Sequence, residues 1–219
     1  MEFKRVTLLC GHYGSGKTNI AVNLALRLRQ ERERVCIADL DIVNPYFRTV
    51  DSKAELDAAG IPLIASRFAS SNVDLPALPA QMYAITQNRE QTAVVDIGGD
   101  DRGALALGRM RDQLREEDNY EMLLVINCFR PLTRTPEDTI AVMREIEEAA
   151  GLRFTAVVNN SNLGPETTAQ DVLGSAEYAG AVCAAAGLPL KMTTVSADVY
   201  PQLEGKIKIL FPLTLQKKY

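Results

Sequence analysis

Gly11-His12-Tyr13-Gly14-Ser15-Gly16-Lys17-Thr18 follows an apolar run and opens an amphipathic one. The stretch satisfies G-x-x-x-x-G-K-[ST], the spacing of a phosphate-binding loop, in the strand-to-helix setting that such a loop requires. Gly11, Gly14 and Gly16 permit backbone conformations closed to residues with a Cβ, so consecutive N–H groups can turn inward around phosphate oxygens. The following helix adds its N-terminal partial charge, worth only about 0.3–1 kcal/mol at an exposed site. Binding therefore also needs the Lys17 ammonium and a divalent ion held by Thr18. His12, Tyr13, Ser15 and Asn19 complete the set expected against the nucleotide.

Outward from this loop, short β-rich apolar runs alternate with helical patterns. Strands are expected over 3–10, 34–39, 63–65, 92–97, 121–127, 154–159 and 191–195, and helices over 17–30, 49–59, 76–88, 103–116, 136–150 and 168–186. Gly60, Gly151 and Gly187 stand where helices should stop. Thr135 can cap the helix that begins at Pro136, with Glu137 and Asp138 favouring its dipole. The alternation predicts an α/β fold: one doubly wound, mostly parallel sheet of about seven strands with helices on both faces. At 219 residues and 47% hydrophobic, residues 1–219 are read as a single domain. Ligands of such a sheet sit at the carboxyl ends of the strands.

The chemistry-bearing residues fall at those ends. The second strand runs into Asp39-Leu40-Asp41, two carboxylates that face the same way. Beside a Mg-nucleotide, one can hold a metal-bound water and the other orient the attacking water; an acidic strand end that caps the next turn is the alternative. The fourth strand closes on Asp96 and continues Ile97-Gly98-Gly99-Asp100-Asp101. Asp96 is placed to support the Mg²⁺ hydration shell. Gly98 or Gly99 could offer a backbone N–H to the γ-phosphate, so that this segment reports whether the phosphate is present.

With these residues on the page, the chain resembles the ParA/MinD group of SIMIBI-class P-loop ATPases, the CobQ/CobB/MinD/ParA nucleotide-binding domain. The resemblance covers nearly the whole chain. It rests on Gly11 to Thr18 with the Asn19-Ile20-Ala21-Val22-Asn23-Leu24-Ala25 that follows, on Asp39-Leu40-Asp41, on Asp96, and on Val157-Val158-Asn159-Asn160. It implies slow ATP hydrolysis with Mg²⁺ and an ATP-dependent homodimer that controls a partner protein. Lys17 would then bind the β- and γ-phosphates, Thr18 the Mg²⁺ with Asp39 and Asp96 in support, and Asp41 the hydrolytic water. Asn159 matches the position that reads the adenine edge, and Val195-Ser196-Ala197-Asp198 the base-side loop. The chain departs from the group in two places. The group's second loop lysine is here His12, followed by Tyr13 in place of Gly, so that a trans-acting charge falls to His12, Arg48, Arg102 or Arg130, or His12 is simply a variable loop residue. The Pro-rich stretch after the Asp96 strand is replaced by Gly98-Gly99-Asp100-Asp101, which is expected to be more mobile.

Absences narrow the function. A net charge of -4 and a pI near 5.2 disfavour nucleic acid as a partner. Residues 96–118 hold no Cys to share a cluster, and there is no C-x-C. Cys10, Cys36, Cys128 and Cys183 are scattered and read as reduced thiols. No run of eighteen apolar residues occurs, so a cytoplasmic protein is expected. The basic and apolar tail 206–218 contains Pro212, which would break an amphipathic helix, so the tail is expected to dock on the domain rather than on a membrane. N-K-x-D is absent, which disfavours GTP. The expected function is a Mg-dependent ATPase switch or assembly factor. The alternatives are a P-loop small-molecule kinase or ATP-dependent synthetase, with 70–76 and 160–166 as its pocket, or a scaffold with negligible turnover.

Overall fold

A computed structural model describes residues 1–40, 49–65, 80–99 and 101–215. The strands are β1 (Val6–Cys10), β2 (Val35–Leu40), β3 (Leu63–Ala65), β4 (Thr92–Ile97), β5 (Tyr120–Ile126), β6 (Ala156–Asn159), β7 (Leu190–Ser196) and β8 (Leu210–Leu213). They form one eight-stranded sheet in the order β3-β2-β4-β1-β5-β6-β7-β8, every pairing parallel. Inner strands such as β1, β2 and β4 are buried along their whole length, which is why they read as unbroken apolar runs.

The helices are α1 (Lys17–Glu31), α2 (Lys53–Ala58), α3 (Ala80–Gln87), α4 (Asp101–Gly108), α5 (Arg111–Glu117), α6 (Pro136–Ala150), α7 (Ala169–Ala186) and α8 (Tyr200–Leu203). One core lies between the sheet and α1, where Ile20, Leu24 and Leu28 meet Leu9, Ile37, Val94, Leu123 and Val158. The opposite core takes Met82 of α3, Leu107 of α4, Leu114 of α5, Met143 of α6 and Val182 of α7 against Leu8, Cys36, Val95 and Leu124. Burying one Leu or Ile of this kind contributes about 1.5–3 kcal/mol, so both faces of the sheet are strongly held.

Several expected elements differ from what forms. The helix expected over 49–59 is a 3-10 turn (Thr49–Ser52) leading into α2. The helix expected over 103–116 is two helices, α4 ending at Gly108 and α5 beginning at Arg111. Of the helix expected over 76–88, residues 76–79 lie outside the described residues. α6 and α7 start as read: Thr135 accepts from the Asp138 N–H, and Thr168 and Asp171 form a reciprocal capping box.

The tail docks on the domain as a strand. Leu210–Leu213 adds β8 to the sheet edge beside β7, with Phe211 and Leu213 buried in the α1-side core. Pro212 is exposed on that edge strand, the place in a sheet where a residue without an N–H is tolerated. Asn23 of α1 fastens the end of β8, donating to the Thr214 carbonyl and accepting from its N–H at 2.8 Å. No helix among the described residues is long and apolar enough to cross a membrane.

Candidate phosphate-binding site

The crevice of a doubly wound sheet opens where strand order reverses. Here that place is the carboxyl end of β1, flanked by β4 and β5. Residues 11–16 turn from β1 into α1, and Gly16 caps the helix at φ 90°, a left-handed conformation costly for any residue with a Cβ. No side chain caps this N-terminus and no acidic residue lies in its first turn. The N–H groups and dipole of a helix N-terminus like this one favour an anion there.

Two side chains from neighbouring strand ends bond the backbone of the loop. Asn160, just after β6, donates its amide to the Ser15 carbonyl at 2.6 Å and accepts from the Thr194 hydroxyl of β7 at 2.5 Å. Arg130, after β5, donates through Nε to the Gly14 carbonyl at 2.9 Å. Lys17 is buried and donates to the carbonyls of Gly11 and His12 at 3.0 and 3.2 Å. His12 Nδ1 lies 2.9 Å from the Tyr13 carbonyl, and Tyr13 is half exposed. Asn19 sits in the first turn of α1, where the Asn23 amide donates to its carbonyl at 2.8 Å.

Asp39 and Asp96 are register partners on the adjacent strands β2 and β4. Ile37 and Val94 belong to the α1-side core, and two residues further along each strand returns to the same face. Both carboxylates therefore lie on the side of the sheet that carries the loop and Thr18. Asp96 is fully buried and Asp39 nearly so. The Cys10 thiol feels this cluster: burial pushes its pKa up, Lys17 pulls it down and Asp96 adds to the rise.

The segment after Asp96 abuts the loop. A Cβ on Gly99 would lie 2.5 Å from the Tyr13 nitrogen, and one on Gly103 would lie 2.7 Å from the Gly98 nitrogen. The stretch expected to be mobile is thus wedged, at Gly98 and Gly99, between the phosphate loop and the start of α4.

Whether the residues suit a nucleotide and its metal can be tested on two observations. Ser15 Oγ, on a residue 1% exposed, has no hydrogen-bond partner among the described residues, an orphaned donor inside the loop. The metal donors are all hard oxygens, a threonine hydroxyl and two carboxylates, which suit Mg²⁺. Among the described residues no three His, Cys, Asp or Glu side chains gather to hold a metal by themselves. A Mg²⁺ site completed by water and substrate phosphate does not require them.

Other expected residues stand apart. Asp41, expected to orient water, lies outside the described residues, as do 44–48 and 70–79. Asn159 is buried, with its amide donating to Ser175 of α7 at 2.9 Å and its side-chain oxygen accepting from the Ser161 N–H at 3.2 Å. The side chain that reaches the loop from this segment is Asn160, which sequence reading passed over. Adjacent asparagines at a strand end carry no signal that separates them.

The chain matches no protein-family model and no curated protein. Among solved structures it is similar to the cell division protein FtsY of Thermotoga maritima, with TM-score 0.58 and 20% identity over 87% of this chain and 61% of that one. Chloroplast FtsY of Physcomitrella patens gives TM-score 0.59 and 18% identity over 88% and 59%. The signal recognition particle 54 kDa protein of Aeropyrum pernix, in complex with GDP, gives 0.52 and 16% over 88% and 41%. The chain thus spans less than two thirds of these proteins, and identities this low establish the fold alone, a doubly wound α/β sheet shared with them.

Proposed function

We propose that this protein is a Mg-dependent, ATP-hydrolysing switch of the ParA/MinD type that acts on a partner protein. The observation that carries the reading is the backbone contact of Gly99 with His12 and Tyr13. A γ-phosphate held by the loop would press on the segment that follows Asp96, and Gly103 against Gly98 would pass the change to α4.

In this mechanism Lys17, the N–H groups of 14–18 and Ser15 Oγ bind the β- and γ-phosphates. Thr18, Asp39 and Asp96 would hold the Mg²⁺, which when bound neutralises phosphate charge. Asp41 orients the attacking water. Slow turnover and ATP-dependent pairing of two copies complete the proposal. Adenine is favoured over guanine because residues 159–163 contain no carboxylate to accept from guanine. The similar structures that contain GDP make guanine the alternative to exclude.

The test uses Asp41→Ala. This variant should bind Mg-ATP like wild type, lose hydrolysis, and show twice the monomer mass by light scattering in Mg-ATP but not in Mg-ADP. Equal mass in both nucleotides would remove the dimer switch. Displacement of a fluorescent ATP analogue by GTP as readily as by ATP would remove the base assignment.

A further inference from the structure

Arg130 belongs to a turn whose backbone is fixed from several sides. The Asn127 carbonyl accepts from the Arg130 N–H at 3.2 Å and from the Thr133 hydroxyl at 2.9 Å. The Asn127 side-chain oxygen accepts from the Phe129 N–H at 3.0 Å, and the Cys128 N–H donates to Ser161 Oγ at 3.1 Å. Tyr178 of α7 donates to the Thr133 carbonyl at 2.8 Å. From this turn the Arg130 side chain crosses to the phosphate loop, where only Nε is engaged, on the Gly14 carbonyl. Its terminal amino groups make no hydrogen bond, and it joins no ion pair, among the described residues. Arg130 is exposed, so these amino groups stand open to solvent beside the loop and can be offered to an anion seated there.

Resting on the reading above, we propose that Arg130 is a catalytic residue of the nucleotide hydrolysis, a positive charge supplied in cis to the phosphoryl oxygens at the loop. In the reaction, the water oxygen forms a bond to the γ-phosphorus while the bond from that phosphorus to the β–γ bridging oxygen breaks. The electron pair stays on the bridging oxygen, which becomes a terminal oxygen of the diphosphate, and the protons of the water end on inorganic phosphate and solvent. Negative charge grows on the bridging oxygen in the transition state. A guanidinium already fixed beside Gly14 stabilises that charge more than it stabilises the bound substrate. Arginine suits the task because one donor can hold the loop carbonyl while the remaining fork faces phosphate; the lysine ammonium has no such fork.

The experiment compares full-length wild type, Arg130→Ala and Arg130→Lys. Single-turnover hydrolysis of Mg-ATP and Mg-GTP is measured beside calorimetric binding of Mg-ADP and of Mg-ADP with aluminium fluoride. Arg130→Ala should bind ADP within about threefold of wild type and lose hydrolysis and fluoride-complex affinity on the order of a hundredfold, with Arg130→Lys recovering little. Undiminished hydrolysis by Arg130→Ala beside an active wild type overturns the assignment of Arg130 alone. Equal weakening of ADP and of the fluoride complex also overturns it, leaving Arg130 as a brace of the loop. A wild type that binds neither triphosphate overturns the parent reading and this inference together.

Discussion

The two ends of the sheet place their buried charges differently. At the amino ends, Arg5 is paired with Glu117 and also donates to the Asn88 and Gln91 carbonyls. Glu121 accepts from Lys191 at 2.6 Å, from the Lys4 N–H at 2.9 Å and from the Thr7 hydroxyl at 3.2 Å. Each buried ion there meets an opposite ion of the same chain. At the carboxyl ends, Asp39 and Asp96 stand side by side in register, like charge beside like charge. Lys17 there is bonded to carbonyls of its own loop, and a serine hydroxyl is left over. Two hard carboxylates in register beside a phosphate-type loop suit a site that also takes a divalent cation. One end is thus arranged for stability and the other for a ligand, and substitutions at the two should separate cleanly.

The largest stability loss is expected at the amino end. Glu117→Ala leaves Arg5 buried without its carboxylate and should lower unfolding free energy by about 3–5 kcal/mol in urea titration, with nucleotide affinity of the folded fraction unchanged. A parallel drop in affinity would break the division between the ends. At the carboxyl end, Gly99→Ala forces a Cβ onto the Tyr13 backbone. It should weaken triphosphate binding by about 1–3 kcal/mol, the usual range for overpacking, measured by calorimetry on protein whose circular dichroism is unaltered. Gly174 in α7 has open space where a Cβ would stand, so Gly174→Ala should stabilise by about 0.5–1 kcal/mol in the same urea titration. A glycine tolerated in one place and required in the other sharpens the contrast.

The smallest effect concerns acid. The Glu147 carboxyl is resisted by burial, but the Phe154 N–H, Arg153 and Arg144 outweigh that and hold its pKa below the ordinary 4.5. A depressed folded-state pKa gives stability that is complete above the unfolded value and is lost as pH falls through the folded one. Melting temperature should therefore fall more steeply below pH 4.5 in wild type than in Glu147→Gln. Identical slopes would remove Glu147 from the acid response.

How much of this was legible in the sequence depended on whether the cause was local. The phosphate loop, the strands closing on Asp39 and Asp96, and the cap at Thr135 could be read because neighbouring residues determine them. β8 could not, because Leu210-Phe211-Pro212-Leu213 makes a strand only through pairing with β7 and burial against α1. The break after Gly108 has no local signal beyond the glycine itself. That Asn160 bonds the Ser15 carbonyl depends on which way the end of β6 points, which adjacent asparagines do not reveal. Arg130 could be named beside Arg48 and Arg102 as a cation near the same face, yet only the fold shows its donor on the Gly14 carbonyl.

Calorimetric titration of Mg-ATP into wild type and Lys17→Ala tests the central claim most directly, that the carboxyl end of the sheet is a triphosphate site. Wild type should bind one nucleotide per chain, and Lys17→Ala should bind on the order of a hundredfold more weakly, as expected when one partner of a desolvated charge-assisted contact is removed. Equal affinity in the two proteins would contradict the phosphate-loop assignment and everything built on it.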